Sequence, residues 1–209
     1  MVTIIAVLIT GYLFGSIPTG VWLGRIIRGI DIRQHGSGST GATNVFRILG
    51  VKLAIAVLVV DVLKGFVACY LGSRINFGDT ILVSDQLAAS GGLAAVAGHL
   101  YPLFAGFRGG KGIATGAGML LFLSPLEVGF ALIVFVAAVY LTRYVSLGSI
   151  TAAVFYFVSI VIERYYLEYP VGGEVVALAT VLLVLVLFTH RANIRRLISG
   201  TENKFGAKK

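Results

Sequence analysis

Leu53-Ala-Ile-Ala-Val-Leu-Val-Val-Asp61-Val-Leu-Lys64-Gly-Phe-Val-Ala-Cys69-Tyr-Leu-Gly-Ser73 is a 21-residue apolar run with only two charges in it. Its length matches what a helix needs to cross a hydrocarbon core about 30 Å thick. Asp61 and Lys64 lie three positions apart, on one face of such a helix, where each can neutralise the other. An unpaired charge there would cost several kcal/mol, so the pair is expected to face the interior. It is either a structural ion pair or a contact to substrate. The run reads as a membrane helix.

Working outward, the composition agrees. The 209 residues are 57% hydrophobic and 12% charged, whereas a soluble domain carries about 25% charged residues. Hydropathy and turn-rich breaks predict spans at about 2–24, 53–73, 86–104, 112–124, 126–142, 147–163 and 174–190. The fourth is short, and Ser124-Pro125 suggests a tight hairpin into the fifth. The first run starts without a basic leader and continues to Arg25, longer than a signal h-region, so it is expected to remain. No fixed-period repeat is visible. The expected fold is an all-α integral membrane protein of seven transmembrane helices, a single polytopic domain over 1–209 ending in a short polar cytoplasmic tail from about 198.

Charge sets the expected orientation. Of 17 Lys and Arg residues, Arg74 and Arg164 fall on one side, Lys64 lies within a span, and fourteen fall on the other side. The positive-inside rule places those fourteen in the cytoplasm, with the N-terminus outside. Topology thus accounts for the net charge of +8, and no nucleic-acid partner is needed. Asp79, Asp85, Glu127, Glu163, Glu168 and Glu174 lie in the opposite loops and read as solvated charges. The single cysteine, Cys69, excludes an intramolecular disulfide framework and a multi-cysteine metal site.

Two of the cytoplasmic loops carry anion-binding chemistry. In Gly36-Ser-Gly-Ser-Thr-Gly-Ala-Thr-Asn-Val-Phe-Arg47, the glycines, among them Gly38 and Gly41, let backbone N–H groups approach an oxyanion. Ser37, Thr43 and Asn44 can donate hydrogen bonds, and Arg47 can pair with phosphate bidentately. In Gly106-Phe-Arg-Gly-Gly-Lys-Gly-Ile-Ala-Thr115, Lys111 stands among Gly109, Gly110 and Gly112 just before a predicted helix, whose N-terminus favours negative charge. This is not a phosphate-binding Walker sequence, because position 105 is Ala and Gly112 replaces the hydroxyl residue after lysine. Nucleotide hydrolysis is therefore rejected.

His99, at the end of a Gly/Ala-rich span, and His190, at the start of His190-Arg-Ala-Asn-Ile-Arg-Arg-Leu197, are each a general base or a structural, substrate-orienting residue. His35 is the weakest of the three histidines. A continued helix would put Asn193 beside His190 on one face. Ser146 opens the sixth span, where its hydroxyl either bonds a substrate or satisfies a helix carbonyl. Glycines 11, 15, 20 and 24 of the first span suit close helix packing, with Pro18 making a local break. There is no Gly-x-Ser-x-Gly elbow and no pair of metal-binding histidines, which disfavours covalent and metal mechanisms. The same basic loops and the Asp61–Lys64 pair would also suit a transporter of phosphate-like anions, but clear inverted halves are lacking.

The chain resembles the bacterial acyl-phosphate:glycerol-3-phosphate acyltransferase family, the membrane PlsY type, over nearly its whole length. The resemblance rests on Gly15-Ser-Ile-Pro-Thr-Gly20, the 36–47 loop, Asp61-x-x-Lys64-Gly65, Gly98-His99 through Thr115, Ser146-Leu147 and His190-Arg-x-Asn193-Ile-x-Arg196-Leu197. Ser39-Thr40 departs from it, since members commonly carry Asn followed by a variable residue. The resemblance implies acyl transfer from a fatty acyl phosphate to the 1-hydroxyl of glycerol 3-phosphate, yielding lysophosphatidate and phosphate. It implies no metal or other cofactor, and no obligate protein partner is evident. The site would face the cytoplasm at a bacterial inner membrane. Ser37, Gly38, Gly41, Thr43, Asn44, Arg47, Gly109, Gly110, Lys111, Gly112 and Thr115 would hold phosphate groups. His190, Asn193, Ser146, Lys111 and His99 would be the catalytic candidates.

Overall fold

The computed structural model describes residues 1–167 and 171–206, so Glu168 and the last three residues of the expected tail lie outside the described residues. Among the described residues the regular structure is entirely helical, and it forms two compact units, Met1–Leu123 and Ser124–Lys209.

The first unit contains α1 (Val2–Gly15), α2 (Thr19–Arg28), α3 (Ala42–Leu49), α4 (Val51–Arg74), α5 (Ser84–Leu100) and α6 (Ile113–Leu123). The first expected span is two helices, because Pro18 has no N–H to continue the ladder of α1 and fixes its own φ. The 36–47 segment is only half a loop: its second half is the start of α3, with Gly41 as N-cap. Small residues let the helices touch backbone to backbone. A methyl on Gly11 or Gly15 of α1 would strike the carbonyl oxygens of Gly91 or Ala95 in α5. Gly65 of α4 and Gly118 of α6 do the same reciprocally, against Thr115 and Val62. Such contacts replace the hydrophobic driving force that lipid removes.

The second unit contains α7 (Pro125–Thr142), α8 (Val145–Tyr165), α9 (Gly173–Thr189) and α10 (Arg191–Ile198). Arg143, at φ 62°, turns α7 into α8. The Ser124 hydroxyl lies 2.7 Å from the Tyr156 hydroxyl and closes the other end of that hairpin. Leu132, Ile133, Val136 and Tyr140 leave α7 with an exposed apolar surface, as a helix surrounded by lipid requires. The segment read as a polar tail folds back instead: the Phe205 amide donates to the Arg143 carbonyl at 2.6 Å, and Glu202 is buried.

Among the described residues, five helical stretches are long and apolar enough to cross a membrane: Val2–Arg28, Val51–Arg74, Ser84–Ala105, Pro125–Thr142 and Val145–Tyr165. The pair α9 and α10, bent by 60°, makes a sixth if taken as one span. Ile113–Leu123 is apolar but short.

The acids differ from the expectation of idle loop charges. Asp85, Glu127 and Glu174 each occupy the first turn of a helix, where the macrodipole favours an anion. Asp79 accepts from the amides of Val2 at 2.5 Å and Thr3 at 3.2 Å, and from the Thr3 hydroxyl. A carboxylate distant in sequence thereby satisfies the first amides of α1, which have no partner inside the helix.

Candidate functional site

In the first unit the 36–47 segment is organised by Asn44. Its side chain is buried, and its amide nitrogen donates to the carbonyls of Ile32 (3.1 Å), His35 (3.1 Å) and Ser39 (2.9 Å). Its oxygen accepts from the Ser37 amide at 2.8 Å. The expectation that Asn44 reaches toward a ligand gives way to a different geometry, since these bonds engage the amide inside the loop. Gly36 and Gly38 adopt φ of 62° and 71°, values that L side chains rarely adopt. Around that frame Ser37, Gly38 and Arg47 are exposed, while Gly41 and Thr43 are half-buried.

The two Gly-rich loops meet. Arg33, outside every motif singled out in the sequence, donates to the Ala105 carbonyl at 2.5 Å and the Arg108 carbonyl at 3.4 Å. Asp31 orients it, accepting from Nε at 2.9 Å and from Nη2 at 2.6 Å. The hydrogen bond from that guanidinium holds the Asp31 carboxyl well below the usual carboxylate range and overcomes the opposing effect of burial. Sequence gave one available hint, an Asp-x-Arg spacing that permits a local turn.

In the second loop the Gly109 amide donates to the Leu100 carbonyl at 3.2 Å and the Gly110 amide to the His99 carbonyl at 3.1 Å. The loop therefore folds back on the last turn of α5, whose carbonyls lack helical partners. Gly112, at φ 78°, then admits α6. Lys111 is half-buried two residues before that helix begins.

Beneath the loop lies a buried polar cluster. Lys64 Nζ is 2.8 Å from Asp61 Oδ1, both side chains being almost fully enclosed, as their spacing predicts. Lys64 also donates to the Ile17 carbonyl at 3.2 Å, the position at which Pro18 interrupts α1. His99 Nδ1 is 3.7 Å from the same Asp61 oxygen and 3.1 Å from Thr115 Oγ1. Thr115 is fully buried, so it meets His99 and not the loop surface.

The second unit brings together two sequence candidates, Ser146 and Asn193, and also Arg196, around one residue that sequence reading passed over. Glu202 Oε1 accepts from Ser146 Oγ at 2.8 Å and from Asn193 Nδ2 at 2.6 Å, and its Oε2 accepts from Arg196 Nε at 2.6 Å. Burial alone would raise the Glu202 pKa. The bonds from Asn193, Arg196 and Ser146 outweigh it and hold the carboxyl below its ordinary value. His190 is buried at the bend between α9 and α10, with Nδ1 2.9 Å from the Val186 carbonyl. A carbonyl only accepts, so Nδ1 is the donor in that contact.

The family model described as Glycerol-3-phosphate acyltransferase matches residues 5–200. A protein of that name from Chlorobium phaeobacteroides is 42% identical, with 99% of each chain covered. One from Fusobacterium nucleatum is 43% identical over 93% of this chain and 94% of its own. Two crystal structures of PlsY, an integral membrane glycerol 3-phosphate acyltransferase, share the fold. The glycerol 3-phosphate form has a TM-score of 0.85 at 38% identity, covering 97% of this chain and 96% of that one. The lysophosphatidic acid form has a TM-score of 0.82 at 37% identity, covering 97% and 95%.

Proposed function

The chain belongs to the glycerol-3-phosphate acyltransferase family, and from that premise we propose that it moves a fatty acyl group from an acyl phosphate to the 1-hydroxyl of glycerol 3-phosphate. The products are lysophosphatidate and inorganic phosphate, and the step is the first acylation of bacterial phospholipid synthesis. The observation that carries this reading is the junction of two Gly-rich, basic loops through Arg33. Two substrates that each bear a phosphate call for two such cradles side by side. The ligands of the two solved relatives, glycerol 3-phosphate and lysophosphatidic acid, support it as acceptor and acylated product.

The reaction is a direct displacement. The acceptor hydroxyl oxygen bonds to the acyl carbonyl carbon, the bond from that carbon to the phosphate oxygen breaks, and phosphate departs with the electron pair. An acyl phosphate is already activated, so the protein supplies orientation and charge neutralisation. Ser37, Thr43, Arg47 and Lys111 hold phosphate oxygens through their side chains, and Gly38, Gly41, Gly109, Gly110 and Gly112 shape the two loops around them. Asn44 and Thr115 act through the loops they brace. The hydroxyl proton goes to His190, to His99 or to a substrate phosphate oxygen. Ser146 and Asn193 orient the reacting groups. This chemistry calls for no metal or nucleotide.

The proposed setting is a bacterial inner membrane crossed seven times, counting α6 and the bent pair α9 and α10, with the N-terminus outside and the loops in the cytoplasm. The deciding experiment reconstitutes purified protein with glycerol 3-phosphate and either acyl phosphate or acyl-CoA. Lysophosphatidate is expected from acyl phosphate alone. Product from acyl-CoA alone would overturn the donor assignment. Phosphate flux into sealed vesicles without product lipid would favour transport instead.

A further inference from the structure

We infer that His99 is a positioning residue, clamped by Asp61 and Thr115, that fixes the Gly109-Gly110-Lys111 backbone against the first loop. The inference rests on the acyltransferase reading and removes His99 from the possible proton acceptors.

The geometry closes both nitrogens of the ring against protein. Nδ1 faces Thr115 Oγ1 at 3.1 Å and Asp61 Oδ1 at 3.7 Å. On the other edge, a methyl placed on Gly110 would collide with Nε2. The side chain is 5% exposed, whereas a general base must come within hydrogen-bond reach of the hydroxyl it deprotonates.

That same edge explains the glycine pair. A methyl on Gly109 would strike the His99 carbonyl oxygen, and one on Gly110 would also come within 3.0 Å of Thr40 Oγ1. Gly110 thus fills a slot with the imidazole on one side and the first loop on the other. The His99 carbonyl accepts from the Gly110 amide, so the residue meets the loop through both its main chain and its ring. Lys111 is the next residue, and its placement follows from that slot.

The clamp is anchored at a distance. Asp61 Oδ1, 3.7 Å from His99 Nδ1, pairs at 2.8 Å with the Lys64 ammonium, which also holds the Ile17 carbonyl at the break between α1 and α2. One chain of polar contacts therefore runs from that break through α4 to the last turn of α5 and the start of α6. A buried ion pair is a poor source of stability compared with apolar packing. Here it gives the imidazole a single resting place.

The test is a double-mutant cycle on the full-length protein, His99→Asn with Gly110→Ala, assayed with acyl phosphate and glycerol 3-phosphate. Each single variant is expected to raise KM for one phosphorylated substrate by about tenfold while kcat stays within about threefold. Asn is shorter than His and makes room for the methyl, so the double variant should fall well short of the product of the singles. A kcat loss of about 100-fold in His99→Asn at unchanged KM would make the ring a base and overturn the inference. Multiplying effects would overturn it too. If His99→Asn fails to fold in detergent, Gly110→Ala decides alone, and unchanged KM values reject the clamp. Should wild-type protein give no product, the reaction assignment fails separately. Calorimetric binding of inorganic phosphate then reads the same loop, with weakening in both singles and none added in the double as the supporting result.

Discussion

Asn193 and Ser146, 47 positions apart in the chain, both donate to one oxygen, Glu202 Oε1, at 2.6 and 2.8 Å. The carboxylate thus organises two residues expected near the chemistry, while Arg196 takes its second oxygen. Glu202→Ala removes all three partners at once and is expected to cost on the order of 3 kcal/mol. Thermal unfolding in detergent checks this, with Glu202→Gln intermediate. The pKa of Glu202 is lowered on folding, so its contribution is full above the ordinary Glu value of about 4.3 and disappears as pH falls through the lower folded value. An unfolding midpoint that starts to fall well above that range as pH drops would count against the assignment.

His190→Gln tests where the acceptor proton goes. If His190 takes it, kcat falls by about 10²-fold or more with KM little changed. Turnover within about tenfold of wild type would assign the proton to a substrate phosphate.

Asn44→Asp should be at least as damaging as Asn44→Ala, although it is the closer isostere. Three carbonyls face the Asn44 amide nitrogen, and a carboxylate would set oxygen against oxygen. Each unsatisfied buried group costs about 1–3 kcal/mol. Initial rates at varied substrate should show raised KM values alongside a lowered melting temperature. Equal tolerance of both substitutions would contradict the loop geometry.

Arg33→Lys keeps the charge but cannot span both Asp31 oxygens and the Ala105 carbonyl with a planar fork. The expected result is a KM increase for a phosphorylated substrate of about 3–10-fold. An unchanged KM would mean that the two loops hold together by other means.

Two glycines should respond in opposite directions to Ala. At Gly118 the methyl meets the Val62 carbonyl, whereas at Gly129 no atom lies within 4 Å. Gly118→Ala should lose about 1–3 kcal/mol through overpacking, and Gly129→Ala should gain up to about 1 kcal/mol of helix propensity. Paired melting curves report the sign directly.

The helices were legible because apolar length survives averaging: all seven expected runs fall on helices or helix pairs, α4 within two residues at its start. The break at Pro18 was readable because proline cannot continue a helical ladder, and the expected run ends at 190, where the apolar α9 gives way to the basic α10. The Asp61–Lys64 pair was readable because its partners share one helix turn. Glu202, Asp79 and Arg33 were not, since each acts on residues that only folding brings near. Asn44 was visible as a polar residue in a polar loop, but sequence cannot say whether an amide turns outward or inward.

The backbone contact between α1 and α5 has a consequence for motion. Ser84–Leu100 lies in the most enclosed apolar stretch of the first unit, and a helix pressed against its neighbour's peptide groups has little room to open locally. Its amide protons should be among the slowest in that unit to exchange with deuterated solvent. The glycine loop hangs from the final turn of that helix, so the segment expected to breathe most slowly and the segment proposed to hold a phosphate are joined end to end.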